Sequence, residues 1–327
     1  MGLPEPAQRA LAGPPVTIDG QRLAVELQLM LRLQRAARLP SPPMLPIPEG
    51  RLATLHETRV AGGTHPIGAV RDLPVGDRPG RLYTPTGDPE DPTGLLVFFH
   101  GGGFVFGDLD SHDAPCRFLA ERAGVRVLAV DYRRAPEHPF PAAYDDAVAS
   151  VRWAFDNAAS IGVDPHRIAV GGDSAGGNLA GGAAIAAALD GLPLAFQLLV
   201  YPLTDASHDT RSMELFADLG LYLTRAYIEV ADECYLTTER DRNDPRVSLL
   251  LEKIPDGLAP AYLATAGFDP LRDEGEAYAR LLCEAGVTVE MHRFPDLIHS
   301  FFNILGPSRR SRAAVAEMAV RLGAALA

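Results

Sequence analysis

Cysteine is scarce in this chain. Three occur among 327 residues, at Cys116, Cys234 and Cys283. They stand far apart, with no C-x-x-C pair and no histidine at metal-ligating spacing, so neither a disulfide framework nor a cysteine metal site is expected. Each reads as a small apolar side chain of a core or cap, which suits a reducing compartment. Long apolar runs are also missing. The stretch 95–99 is one strand long, and the alanine-rich 178–189 falls well short of the roughly 20 residues that a membrane span needs. Positive charge is the third shortage: 30 Lys and Arg face 42 Asp and Glu, for a formal net charge of −12. Nucleic-acid binding rests on neutralising phosphates with basic side chains, so it is not expected here. Docking on an anionic membrane surface is disfavoured for the same reason. The opening MGLPEPAQRALAGPP has no basic start followed by an apolar run, hence no signal-peptide pattern. These shortages predict a soluble, cytoplasmic protein.

What is present is size and apolar content. With 47% hydrophobic residues, the chain can form one large α/β domain or two smaller ones. Stretch 21–39 (QRLAVELQLMLRLQRAARL) predicts an amphipathic helix covering a core. The proline cluster 39–48 predicts a linker. Short β-rich segments follow at 54–60, 68–75 and 81–84. Then strands at 94–100, 125–131, 167–172, 195–201, 261–266 and 287–294 alternate with helices. Those helices fall at 113–123, 143–158, 175–189, 274–285 and about 308–326. Hairpins first and β-α alternation afterwards predict an α/β fold: a mostly parallel sheet with helices on both faces. The polar interval 203–259 breaks this rhythm, with helical pieces at 212–218 and 224–235. A stretch of that length without strands reads as a lid.

In open parallel sheets, ligand sites gather outside the carboxyl ends of the strands. Four such places carry special chemistry. His100-Gly101-Gly102-Gly103 follows strand 94–99, and three bare glycines leave peptide N–H groups free to face a developing oxyanion. A flexible turn is the plainer reading. A phosphate cradle would need G-x-x-x-x-G-K-[ST] or G-x-G-x-x-G, and neither occurs there. Gly172-Asp173-Ser174-Ala175-Gly176 reads G-x-S-x-G, where a serine on a sharp strand-to-helix turn needs glycine at both flanks. Asp269, just after strand 261–266, can orient an imidazole. Asp273 and Glu274 are its local rivals, but they fall where the next helix starts and suit its positive end. His299, after the last strand in FPDLIHSF, is the histidine best placed for a base; His100, His138 and His292 belong to a turn, a loop and a strand. The chain order Ser174, Asp269, His299 is the Ser…Asp…His order of α/β-hydrolases.

These stretches resemble the hormone-sensitive-lipase-like esterases, the bacterial family IV branch of the α/β-hydrolase fold. The matching segments are FFHGGGFVFGDLDSHD (98–113), VDYRRAPEHPFPAAYDD (130–146), GGDSAGGNLA (171–180), LVYPLTD (199–205), FDPLRDEGEAYARLL (268–282) and FPDLIHSF (294–301). The resemblance implies an eight-stranded, mostly parallel sheet with a helical cap. Residues 1–50 and 203–259 would form the cap, over a core of 51–202 and 260–327. It implies Ser174 as nucleophile, Asp269 as acid and His299 as base, with the N–H groups of Gly101, Gly102 and Ala175 as oxyanion hole. The implied activity is hydrolysis of short- to medium-chain carboxylic esters through an acyl-enzyme, with a small-molecule ester as partner and neither metal nor organic cofactor. Members often dimerise through the sheet edge. Amide or carbamate hydrolysis would use the same residues. A non-catalytic receptor on this fold would be expected to lose part of the triad. One departure stands out: the family reads D-Y-R-L-A-P-E where this chain has Arg134 in place of leucine, which alters the packing of that loop. Leu27, Met30, Leu31, Met213, Phe216, Leu219 and Tyr222 in the cap segments are candidates for an apolar pocket, or for packing cap against core.

Overall fold

The computed structural model describes residues 3–38, 41–87 and 92–327. A small hairpin near the N-terminus, β1 (Thr17–Ile18) with β2 (Gln21–Arg22), stands apart from the main sheet. Among the described residues, eight further strands form that sheet: β3 (Ala69–Val75), β4 (Arg78–Thr84), β5 (Thr93–Phe99), β6 (Arg126–Val130), β7 (Val163–Asp173), β8 (Phe196–Val200), β9 (Ala261–Phe268) and β10 (Val289–Ile298). Their order is β10-β9-β8-β7-β5-β6-β4-β3, parallel from β10 to β6 and antiparallel at β4 and β3. The mostly parallel sheet is the expected one.

Every residue of β5 is buried, which requires cover on both faces. Alternation along the strand shows how that cover is shared. Leu95, Val97 and Phe99 pack into one cluster, Leu96 and Phe98 into the other. The helices are α1 (Glu5–Ala12), α2 (Val25–Ala37), α3 (Ile47–Gly62), α4 (Asp113–Ala123), α5 (Ala142–Asp156), α6 (Ala175–Leu189), α7 (Arg211–Phe216), α8 (Arg225–Tyr235), α9 (Glu239–Arg242), α10 (Arg272–Glu284) and α11 (Arg309–Ala325). Helices α5, α6 and α10 supply the first cluster through Ala147, Val151, Leu179 and Leu282. Helices α4 and α11 supply the second through Leu119, Val315 and Met318, joined by Leu27 and Leu31 of α2.

Several expectations need correction. The segment 54–60 is not a strand but the middle of α3. Its Thr and Val content suggested β structure, yet the helix starts earlier, with proline at its first positions and Glu49 in the first turn. The buried residues of α3 are Gly50, Thr58 and Gly62, while Leu52 and Val60 are exposed, so no apolar stripe marks it. The division expected at residue 50 therefore falls inside a helix. The expected linker 39–48 contains a 3-10 turn at Pro42–Met44 and the start of α3; residues 39 and 40 lie outside the described residues. Helix 21–39 begins only at Val25, because residues 21 and 22 pair in the hairpin. Cys116 is buried, but Cys283, expected inside, is exposed on α10.

Candidate active site

The carboxyl ends of β5, β7, β9 and β10 bring the expected residues to one rim. Ser174 stands between β7 and α6 with φ 56° and ψ −119°, a conformation L-residues rarely adopt. Its N–H donates to the Val200 carbonyl at 2.9 Å, and its own carbonyl accepts from Asn178 and Leu203. The flanking glycines are needed for space. A Cβ on Gly172 would lie 2.3 Å from the Gly176 carbonyl oxygen, and one on Gly176 would lie 1.9 Å from that of Phe99. All these obstacles are backbone. Gly176→Ala is therefore expected to cost about 3 kcal/mol or more in stability, read from guanidinium unfolding; a midpoint equal to that of the parent would show the β5–α6 contact to be looser than described.

His299 follows β10 directly. Its Nε2 lies 3.0 Å from Ser174 Oγ, and its Nδ1 lies 2.8 Å from Asp269 Oδ2. Both His299 and Asp269 are buried. A carboxylate can only accept, so Nδ1 carries the proton and Nε2 is left to accept from the serine. The other oxygen of Asp269 accepts from the Leu271 N–H at 2.9 Å, which fixes the carboxylate, and the Tyr201 ring packs against the imidazole at 4.6 Å.

The rival carboxylates are committed elsewhere. Asp273 accepts from the Ser212 N–H at 2.8 Å and from Arg272 at 2.7 Å, tying α7 to α10. Glu274 accepts from the N–H groups of Thr204 and Asp205 in full burial, and that burial pushes its pKa well above the ordinary range.

The glycine loop departs from expectation at one donor. The Gly101 N–H, expected to face an oxyanion, donates to Asp173 Oδ1 at 2.8 Å. Among the described residues, the N–H groups of Gly102, Gly103 and Ala175 meet no protein acceptor. The loop needs glycine for conformation as well as access, since Gly102 has φ 120° and Gly103 φ 60°. Asp173 is a residue that reading by motif passed over, although it sits beside the serine. Burial alone would raise its pKa. The His112 imidazole at 3.2 Å and the Gly101 N–H outweigh that and hold it below the usual value. Tyr201 and Asn303 donate to the same carboxylate at 3.3 and 3.4 Å. His100 stacks on Tyr132 at 4.3 Å, and its Nδ1 meets the Gly101 carbonyl at 2.9 Å. Burial, then the nearby His112, pushes its pKa down to about 3, so it is a neutral prop of the loop. Arg134, the departure from the family pattern, donates to the Gly107 carbonyl at the far end of the same loop. The side chain at this position thus ties to the loop through a hydrogen bond.

Ser174, His299 and Gly101 to Gly103 open onto a cavity of about 290 Å³. Its other walls come from α2, α3 and α8 and the turn before α8, including Leu31, Thr58, Tyr222, Leu223, Tyr227 and Ile228. Of the seven apolar candidates, only Leu31 and Tyr222 line it. Leu27, Met213 and Phe216 are buried in packing clusters, Met30 packs against one, and Leu219 is exposed. Among the described residues, no group of His, Cys, Asp or Glu is placed to hold a metal ion, and no helix is long and apolar enough to cross a membrane.

The sequence and the fold have known counterparts. The alpha/beta hydrolase fold family matches residues 96–303. The carboxylic ester hydrolase LipN of Mycobacterium tuberculosis is 43% identical, over 99% of this chain and 89% of its own length. An ethyl acetate hydrolase of Pseudomonas putida is 41% identical over 75% of this chain and 79% of its own. The solved ester hydrolase EH1AB1 from the metagenome of Lake Arreo, complexed with a bipyridine phosphonate derivative, superposes with a TM-score of 0.88 at 39% identity. It covers 92% of this chain and 98% of its own.

Proposed function

This chain belongs to the hormone-sensitive-lipase-like family of the α/β-hydrolase fold and is a carboxylic ester hydrolase, and from that premise we propose that Ser174, His299 and Asp269 perform the reaction. Ser174 Oγ attacks the ester carbonyl while His299 Nε2 takes its proton. The tetrahedral oxyanion is held by the N–H groups of Gly102, Gly103 and Ala175. His299 then protonates the departing alcohol, and water repeats the sequence on the acyl-enzyme. Asp269 keeps the imidazole in the tautomer that can accept and steadies its charge. The observation that carries this reading is the continuous chain of two hydrogen bonds, 3.0 Å and 2.8 Å, from a strained serine to a buried carboxylate. Asp173 is a positioning residue: it holds the loop whose next two N–H groups receive the charge.

The cavity walls support a substrate class. A cavity of about 290 Å³, closed over by α2, α3 and α8, lies at the small end of ligand pockets. Short- to medium-chain esters fit it, and the emulsified surface of a long-chain triglyceride does not reach the serine. The N-terminal helices and the 203–259 interval act together as a cap. Across a series of p-nitrophenyl esters, kcat/KM is expected to peak at about four to six acyl carbons and to fall roughly tenfold or more by twelve. Highest activity on long-chain emulsions would reject this assignment.

A further inference from the structure

Glu57 lines the same cavity as Ser174, half-buried on α3, and its side chain has no hydrogen bond or ion pair with any described residue. A carboxylate facing an apolar cavity without a partner is costly, and burial raises its pKa accordingly. The other acidic side chains of the cavity wall are already engaged. Asp232 is held by Arg242 and by His208 at 3.0 Å, and Asp173 by the oxyanion loop. Two tyrosine rings, Tyr222 and Tyr227, line the cavity with Glu57. Burial is the main cause that raises both of their pKa values; the charge of Glu57 adds to it, next after burial for Tyr222 and after the Tyr222 phenol for Tyr227.

A carboxylate and two tyrosine rings on the wall of one cavity suit an alkylammonium group, which ring quadrupole and negative charge both attract. Resting on the esterase reading of this cavity, we infer that it takes esters whose acyl or alcohol portion carries an ammonium group, seated between Glu57, Tyr222 and Tyr227. Among the described residues, no arginine or lysine forms an ion pair with Glu57. Arg35, the only arginine or lysine among the described residues that line the cavity, donates to the carbonyls of Leu219 and Gly220 at 2.9 and 3.1 Å. The net charge of −12 favours the approach of such a substrate from solution.

The test compares esters that differ only in charge. Choline butyrate is set against its carbon isostere, in which tert-butyl replaces trimethylammonium. A second pair places the same groups on the acyl side. In the unmodified protein, one pair is expected to show a KM about tenfold lower for the cation, and Glu57→Gln is expected to bring that ratio close to one. Tetramethylammonium should compete with the carbon isostere, whereas tert-butanol at equal concentration should not, a readout that does not depend on the variant folding. Equal KM within both pairs, a ratio unchanged in Glu57→Gln, or no competition by tetramethylammonium would overturn the ammonium seat. Turnover of the carbon isosteres reports separately on the esterase reading.

Discussion

Ser174→Ala is expected to lower kcat for a short-chain ester by about 10⁶-fold, the order of loss seen when a triad nucleophile is removed. Alanine keeps the Cβ, so the substitution adds no steric demand to the strained turn at φ 56° and leaves the contacts of Gly172 and Gly176 as they are. What disappears is the one oxygen within 3.0 Å of His299 Nε2 that can form a covalent acyl bond. The N–H donors and the binding cavity remain, so a small residual rate over the uncatalysed reaction should persist. A fluorophosphonate probe gives an independent readout: mass analysis should place the adduct on Ser174 in the parent and find none in the variant. An adduct on Ser300, the cavity-lining serine beyond His299, or undiminished turnover by the alanine variant would assign the chemistry elsewhere.

The strands and the serine turn were legible in the sequence because burial leaves a mark there. Strand β5 is covered on both faces and so is apolar throughout, and the turn at Ser174 tolerates no Cβ two residues away on either side. Where burial leaves no apolar mark, the reading failed. Helix α3 packs through Gly50, Thr58 and Gly62, residues that look like turn and strand formers out of context. Misreading it as a strand also hid Glu57, whose place in the cavity depends on a helix that passes over the site. The glycine run points to free N–H groups, but not to which of them the fold uses up. That choice was made by Asp173, inside the serine motif itself, whose carboxylate takes the Gly101 N–H and shifts the free donors one residue on. Arg134 shows the same limit, since its hydrogen-bond partner lies 27 positions earlier in the chain.

Position alone chose Asp269 over Asp273 and Glu274, and the hydrogen bonds now give that choice a sharper test. Asp269→Asn is expected to lower kcat by about 10⁴-fold at neutral pH with little change in KM. The asparagine can still accept from the Leu271 N–H through its oxygen. Its amide nitrogen then faces His299 Nδ1 with a hydrogen, and the ring must place its own proton on Nε2. That proton points at Ser174 Oγ, so the histidine can no longer take the serine's proton. Asp273→Asn and Glu274→Gln disturb other contacts: the tie of α7 to α10 in one case, and the seat of the Thr204 and Asp205 N–H groups in the other. Glu274 is also held above its ordinary pKa by burial, whereas orienting an imidazolium calls for a carboxylate ionised at working pH. Both neighbours should therefore keep kcat within about tenfold of the parent, with their effects seen mainly in thermal stability. Steady-state kinetics on the three variants decides the matter, and a loss in Asp273→Asn or Glu274→Gln exceeding that in Asp269→Asn would transfer the orienting role to that residue.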